Sequence, residues 1–176
     1  MITKDIKTRI KEFFFENPTA RLRVRHIEKM VKVPLPSAIR YSKELVAEGI
    51  LQKAKVANVS LFMADRTSKK FLIEKRLYNI KKLYDCGLVD FLVMEHANPT
   101  MIVFGSYAKG EDIESSDIDI YLQTPAKKSL NLGKFEKLLE RKIQIFNYNG
   151  IKSVENKELA NSIINGIVLN GFLEVF

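Results

Sequence analysis

Disulfide chemistry is the first thing this sequence rules out, because a single cysteine, Cys86, cannot pair internally. A lone thiol fits a reducing compartment and reads as a small hydrophobe in a helix. The two histidines, His26 and His96, have no metal-ligating companions in sequence and read as structural. No zinc spacing occurs, nor a GxxxxGK[ST] phosphate loop, nor a nucleophile–histidine pair. No apolar run approaches the roughly 18 residues that a membrane span needs. Residues Met1–Asp5 carry no apolar stretch, so no signal peptide is expected and the predicted location is cytoplasmic. Repeats and low-complexity tracts are missing as well.

What remains is an ordinary globular composition, 46% hydrophobic and 28% charged, in a chain of 176 residues. That length suits one large domain or two small ones. The charge is uneven. Residues 1–66 hold 14 Lys/Arg against 7 Asp/Glu, whereas residues 67–176 hold 15 against 14. A compact segment of net +7 points to a polyanionic partner.

Within the basic segment, Ile6, Ile10 and Phe13 give helical periodicity over residues 4–15, and Asn17-Pro18-Thr19 ends it. A second helix is expected over about 24–31, burying Ile27 and Val31. Pro34 and Pro36 bracket a turn, Ser37 is placed to cap a third helix, and Gly49 ends that helix after Glu48. Two β-like runs follow, Ile50–Val56 and Ser60–Met63. Three helices and a hairpin, together with the stretch Leu35–Leu51, resemble a winged helix-turn-helix. Small residues at Ala38 and Ser42 would let the third helix approach the second, with Leu45, Val46 and Ile50 beneath. The resemblance implies binding of double-stranded DNA. Ser37, Arg40, Tyr41 and Lys43 would lie on the reading helix, and Lys53 and Lys55 in the wing. The same fold also serves protein contacts, and that alternative stays open.

Residues 67–94 are expected to connect two domains. A charged helix over 69–84 shows an apolar stripe at Ile73, Leu77, Ile80 and Tyr84, either a solvated connector or a homodimer seam. A further helix over 87–97 ends at Asn98-Pro99. From residue 95 to 176 short strands are expected at Met101–Phe104, Ile118–Leu122, Lys142–Phe146 and Ile167–Leu169. Helices over 130–140 and 156–165 lie between them. The expected class is α/β (α+β), a winged helix followed by a small mixed-sheet domain.

The chemistry concentrates in Gly105–Ile120. Gly105 lets the backbone approach a ligand, and Ser106 offers a hydroxyl and an N–H where a helix should start. Gly110 lets the chain leave that helix. Eleven residues after Ser106 comes an Asp-Ile-Asp-Ile strand, whose alternation puts Asp117 and Asp119 on one face and Ile118 and Ile120 in the core. Two adjacent carboxylates beside a phosphate loop repel each other unless a dication intervenes, and Mg²⁺ (or Mn²⁺) suits few carboxylates plus phosphate oxygens.

Gly105, Ser106, Gly110, Ser116, Asp117 and Asp119 resemble, in order and spacing, the signature of nucleotidyltransferases of the DNA polymerase beta type, specifically the minimal branch. Residues Asn165–Val175 resemble the closing strand of that branch. The resemblance implies that Asp117 and Asp119 bind two metals and that Gly105, Ser106, Gly110 and Ser116 hold a nucleoside triphosphate. Lys109 either touches phosphate or solvates the loop. An acceptor hydroxyl would attack the α-phosphate and release pyrophosphate, the metals stabilising the entering and leaving oxygens. The branch places a third carboxylate on the strand after the intervening helix, where this chain has Gln144. Glutamine can neither carry that charge nor accept a proton. Two readings follow. One is an enzyme moving AMP to a protein or small acceptor, as antitoxins of this type modify a helical toxin partner. The other is a DNA-binding regulator that senses nucleotide without turnover. A plain scaffold or dimerisation protein is a third.

Overall fold

A computed structural model describes residues 5–125 and 130–175. The described chain is a mixed α+β protein with two sheets, and it divides into two compact units, Met1–Tyr78 and Asn79–Phe176. Residue 4 of the expected first helix lies outside the described residues.

The first unit runs α1 (Ile6–Glu16), β1 (Arg21–Leu22), α2 (Val24–Val31), α3 (Leu35–Ala47), β2 (Leu51–Val56) and β3 (Val59–Ala64). The two-residue strand β1, invisible to periodicity, pairs with β3, giving the order β1-β3-β2. Asp5 caps α1 by accepting from the Thr8 N–H at 2.8 Å, which holds its carboxyl below the usual range. Ile10, Phe14 and Phe15 are the buried face of α1, and Phe13 is only partly covered. Ser37 does not cap α3. The helix begins two residues earlier, at Leu35, with Pro34 before it and Pro36 in its first turn, where a missing N–H costs nothing. The other end is a Schellman closure. Ile50 donates to the Leu45 carbonyl and Gly49 to the Val46 carbonyl, Gly49 taking φ +72. Ala38 and Ser42 are fully buried.

Helix α4 (Lys69–Asp85) carries the chain from the first unit into the second, so both boundaries expected from sequence, at 66 and 95, differ from the division at Tyr78. Its buried face is not the apolar stripe. Ile73, Leu77 and Tyr84 are 55%, 64% and 44% exposed, while Phe71, Lys75, Asn79 and Leu83 are buried at fourfold spacing. Two polar side chains on the inner face disguised it. Cys86 lies in the turn after α4 rather than in a helix, half-buried, and burial pushes its thiol up.

The second unit continues with α5 (Leu88–Glu95), β4 (Thr100–Phe104), α6 (Gly105–Lys109), β5 (Ile118–Gln123), α7 (Gly133–Leu139), β6 (Ile143–Tyr148), a 3-10 turn at Ile151–Ser153, α8 (Lys157–Ile164) and β7 (Ile167–Asn170). The sheet order is β6-β5-β4-β7, with β5 and β6 parallel and the other pairs antiparallel. One sheet face packs Met101, Val103, Ile118, Ile120 and Leu122 with Leu92, Phe135 and Leu139. The other packs Ile102, Phe104 and Tyr121 with Ile151, Val154 and Ile163. At the α8–β7 corner Gly166 has no room for a side chain. A Cβ there would lie 2.6 Å from both Ile102 Cγ2 and the Val103 carbonyl. Gly166→Ala should therefore cost about 1–3 kcal/mol through overpacking. Gly87→Ala, facing open space at φ +78, should cost only about 1 kcal/mol of left-handed backbone strain. Denaturant unfolding of the two variants checks the ranking.

Candidate functional site

Strand β4 delivers the chain into a sharp turn at Gly105, φ +73, from which α6 starts. A Cβ on Gly105 would sit 2.6 Å from Asp119 Oδ2. Glycine suits the left-handed φ of this turn, and a side chain here would also displace the carboxylate lying against it. Tyr107 and Ala108 bury the inner face of α6, and Gly110 at φ +75 closes it.

Alternation along β5 behaves as its sequence demands. Ile118 and Ile120 are fully buried on one side, while Asp119 stands on the other, between Phe104 of β4 and Gln144 of β6. Asp117 immediately precedes the strand, and the Gln144 amide donates to its Oδ2. Burial, and then the charge of Asp117, push the Asp119 carboxyl up from its ordinary value. Ser116 uses its hydroxyl to accept from the Ile113 N–H at 3.0 Å, bracing the turn that presents Asp117. Lys109 is exposed beside Gly105 in a cleft that α6 shares with α8.

Three residues that the sequence pattern does not single out belong to this neighbourhood. Glu136, on α7, turns toward β6. It accepts from the Ile143 N–H at 3.2 Å and pairs with Lys142 at 3.0 Å, contacts that hold its carboxyl below the usual range. With Asp117 and Ser116 it lines a cleft of about 420 Å³. Asn79 and Asp112, both buried, form the brace behind the loop. The Asn79 amide donates to the Tyr107 carbonyl at 2.9 Å and to Asp112 Oδ1 at 2.8 Å, and Arg141 approaches Asp112 to 3.9 Å. No local pattern announces such long-range partners.

In the first unit, Arg40 stacks over the Tyr41 ring at 4.3 Å and pairs with Glu44 at 3.3 Å. Ser37 is half-buried in the first turn of α3, whereas Lys43, Lys53 and Lys55 are exposed. Arg21, Arg23, Arg25 and Lys29 add an exposed basic run that the sequence reading left out. His26 is exposed and so forms no part of the core.

Can the pair hold a cation? Asp117 and Asp119 are hard oxygen donors whose mutual repulsion a cation relieves, which fits Mg²⁺ or Mn²⁺. Among the described residues no group of three or more His, Cys, Asp or Glu side chains could hold a metal.

Residues 86–169 match the family model described as a nucleotidyltransferase domain, just under half of the chain. A relative from Methanocaldococcus jannaschii, named "Putative protein adenylyltransferase", is 29% identical over 79 residues, covering 42% of this chain and 85% of its own length. No solved structure gives a significant match. Among the described residues no helix is long and apolar enough to cross a membrane.

The raised Asp119 carboxyl makes a stability prediction. The folded state keeps this proton to a higher pH than the unfolded chain, so stability falls as pH rises through the window between the two values. Above that window the ionised group is a full cost. Asp119→Asn should unfold at higher denaturant than wild type at neutral pH without divalent cation. The difference should vanish at acid pH, where the wild-type carboxyl is protonated.

Proposed function

We propose that residues 79–176 bind a nucleoside triphosphate with a divalent cation and transfer its nucleotide, AMP, to a hydroxyl of a protein or small-molecule acceptor. The observation that carries this is the Asp119 carboxylate packed on the Gly105 turn with Asp117 beside it, an acidic pair set where triphosphate oxygens can approach the backbone. The match over 86–169 and the name of the archaeal relative support nucleotidyl transfer in general and adenylyl transfer in particular.

In this reading Gly105 and Ser106 give the triphosphate close backbone access, and Lys109 supplies a positive charge at the rim. A cation held by Asp117 and Asp119 would neutralise phosphate charge. The acceptor oxygen bonds to the α-phosphorus while the bond to the bridging oxygen breaks, and pyrophosphate leaves. The acceptor proton needs a base. Gln144 cannot serve, and Glu136 is a weakened base because Lys142 and the Ile143 N–H already stabilise its charge. The Gln144–Asp117 hydrogen bond thus favours a second reading, a domain that senses nucleotide with little turnover. For the first unit the proposal is a winged helix-turn-helix on duplex DNA. Its support is the net +7 of residues 1–66 and the exposed Lys43, Lys53, Lys55, Arg21, Arg23 and Arg25 side chains. Arg40 would have to leave Glu44 to reach a base.

Calorimetry should find Mg²⁺–ATP binding that EDTA abolishes and that Asp117→Asn with Asp119→Asn removes. Equal affinity in EDTA and Mg²⁺ would rule out the cation-bridged site. Gln144→Asp should raise pyrophosphate release by about 10²–10⁴-fold if the missing carboxylate limits turnover. An unchanged or slower rate would remove Gln144 from the explanation. For DNA, log affinity should fall with log salt at a slope of about −0.9 per phosphate neutralised. Lys53→Ala should weaken all duplex sequences alike, and a salt-independent affinity would count against the phosphate-contact reading.

A further inference from the structure

Two separate clefts border the acidic pair, one lined by Asp117 and one by Gly105, whose turn touches Asp119, and the proposed reaction needs two substrates. The cleft on the Asp117 side runs between Ser116 and Glu136. The other, about 390 Å³, is lined by Gly105, Ala108, Lys109, Asn161, Ser162 and Asn165. We infer that this second cleft takes the nucleoside part of the triphosphate, with the Asn161 amide and the Ser162 hydroxyl of α8 as its hydrogen-bonding contacts. The inference rests on the triphosphate reading above.

The walls of this cleft are fixed relative to each other by one strand. β4 runs directly into Gly105 and α6, and the same strand receives Gly166, whose missing side chain lets the end of α8 lie against Ile102 and Val103. Ile163 is fully buried between the sheet and α8. That anchor turns the helix so that Asn161, Ser162 and Asn165, at spacings of one and four, face the cleft. Asn165 is committed, its amide donating to the Asn161 carbonyl at 2.8 Å. The side chains of Asn161 and Ser162 make no hydrogen bond among the described residues, so their donors and acceptors remain available. An amide and a hydroxyl together both give and accept, which suits a ribose or a base edge, whereas a bare phosphate would use only their donors. Lys109, on the same rim, supplies the cationic group for the phosphate end. Gly105 belongs both to this cleft and to the contact with Asp119, so a ligand lying here ends at the acidic pair.

The test compares Mg²⁺–ATP with Mg²⁺–tripolyphosphate on the full chain by calorimetry, for wild type and for Asn161→Ala with Ser162→Ala. Both residues are exposed, and an unchanged thermal midpoint checks the fold. The expected result is an ATP affinity about tenfold weaker with tripolyphosphate affinity unchanged. Equal weakening of both ligands, or no weakening of ATP, overturns the inference. So does a wild type that binds the two ligands equally, since no energy then comes from the nucleoside. A wild type that binds neither overturns the triphosphate reading itself, and this inference with it.

Discussion

One side-chain amide, that of Asn79, fixes the geometry on which the second unit's chemistry depends. Its nitrogen donates to a carbonyl in α6 and to the Asp112 carboxylate just beyond, so one residue of α4 holds both ends of the turn that follows Gly105. Tyr107 returns a long contact to the Asn79 carbonyl at 3.5 Å. Asp112 is only 2% exposed, and a buried carboxylate is tolerated when donors surround it. Arg141, at the entry to β6, approaches it to 3.9 Å. The brace therefore ties α4, α6 and the start of β6 to one anion, and the loop carrying Ser116 and Asp117 hangs from it. Such a network is high-stakes, because removing any member leaves a buried charge short of partners.

In front of the brace the logic is reversed. Asp119 is half-buried beside a like charge, and both circumstances oppose its ionisation. Proteins keep such arrangements where a ligand resolves them, and instability without the ligand accompanies the function. The Gln144 amide relieves part of the tension by donating to Asp117. A neutral donor occupies a place where a carboxylate would have added a third negative charge. The acidic pair accordingly carries less repulsion than a third carboxylate at this position would bring. Glu136, on the neighbouring helix, has its charge already paired with Lys142 and a backbone N–H.

The features legible from sequence are those carried by short-range periodicity and by residues with one conformational use. The Asp-Ile-Asp-Ile alternation placed both isoleucines in the core. Gly105, Gly110 and Gly49 marked turns that do take positive φ. Failures arose where tertiary burial overrode local pattern. On α4 the inner face contains Lys75 and Asn79, and most of the apolar stripe, at Ile73, Leu77 and Tyr84, is left exposed. β1 is two residues long and exists because β3 lends it an edge. Ser37 looked like a cap, but two prolines had already set the helix start before it. The Asn79–Asp112 brace and the α8 wall of the cleft beside Gly105 join segments dozens of residues apart, and nothing local encodes them.

Strand β4 is paired on both sides, with β5 next in sequence and with β7 some 65 residues later. That ordering has a kinetic consequence during synthesis. The signature turn and the acidic pair are complete once residue 119 has been made. The wall that α8 contributes, and the closing of β4's second edge, must wait until residue 170. In the interval, one side of β4 presents unpaired backbone groups beside a cluster of uncompensated negative charge. Long-range pairing of this kind is slow because loop closure precedes its reward. Maturation of the second unit is thus set by its far end, whereas the first unit's sheet is fully specified by residue 64 and can fold while the remainder is still emerging.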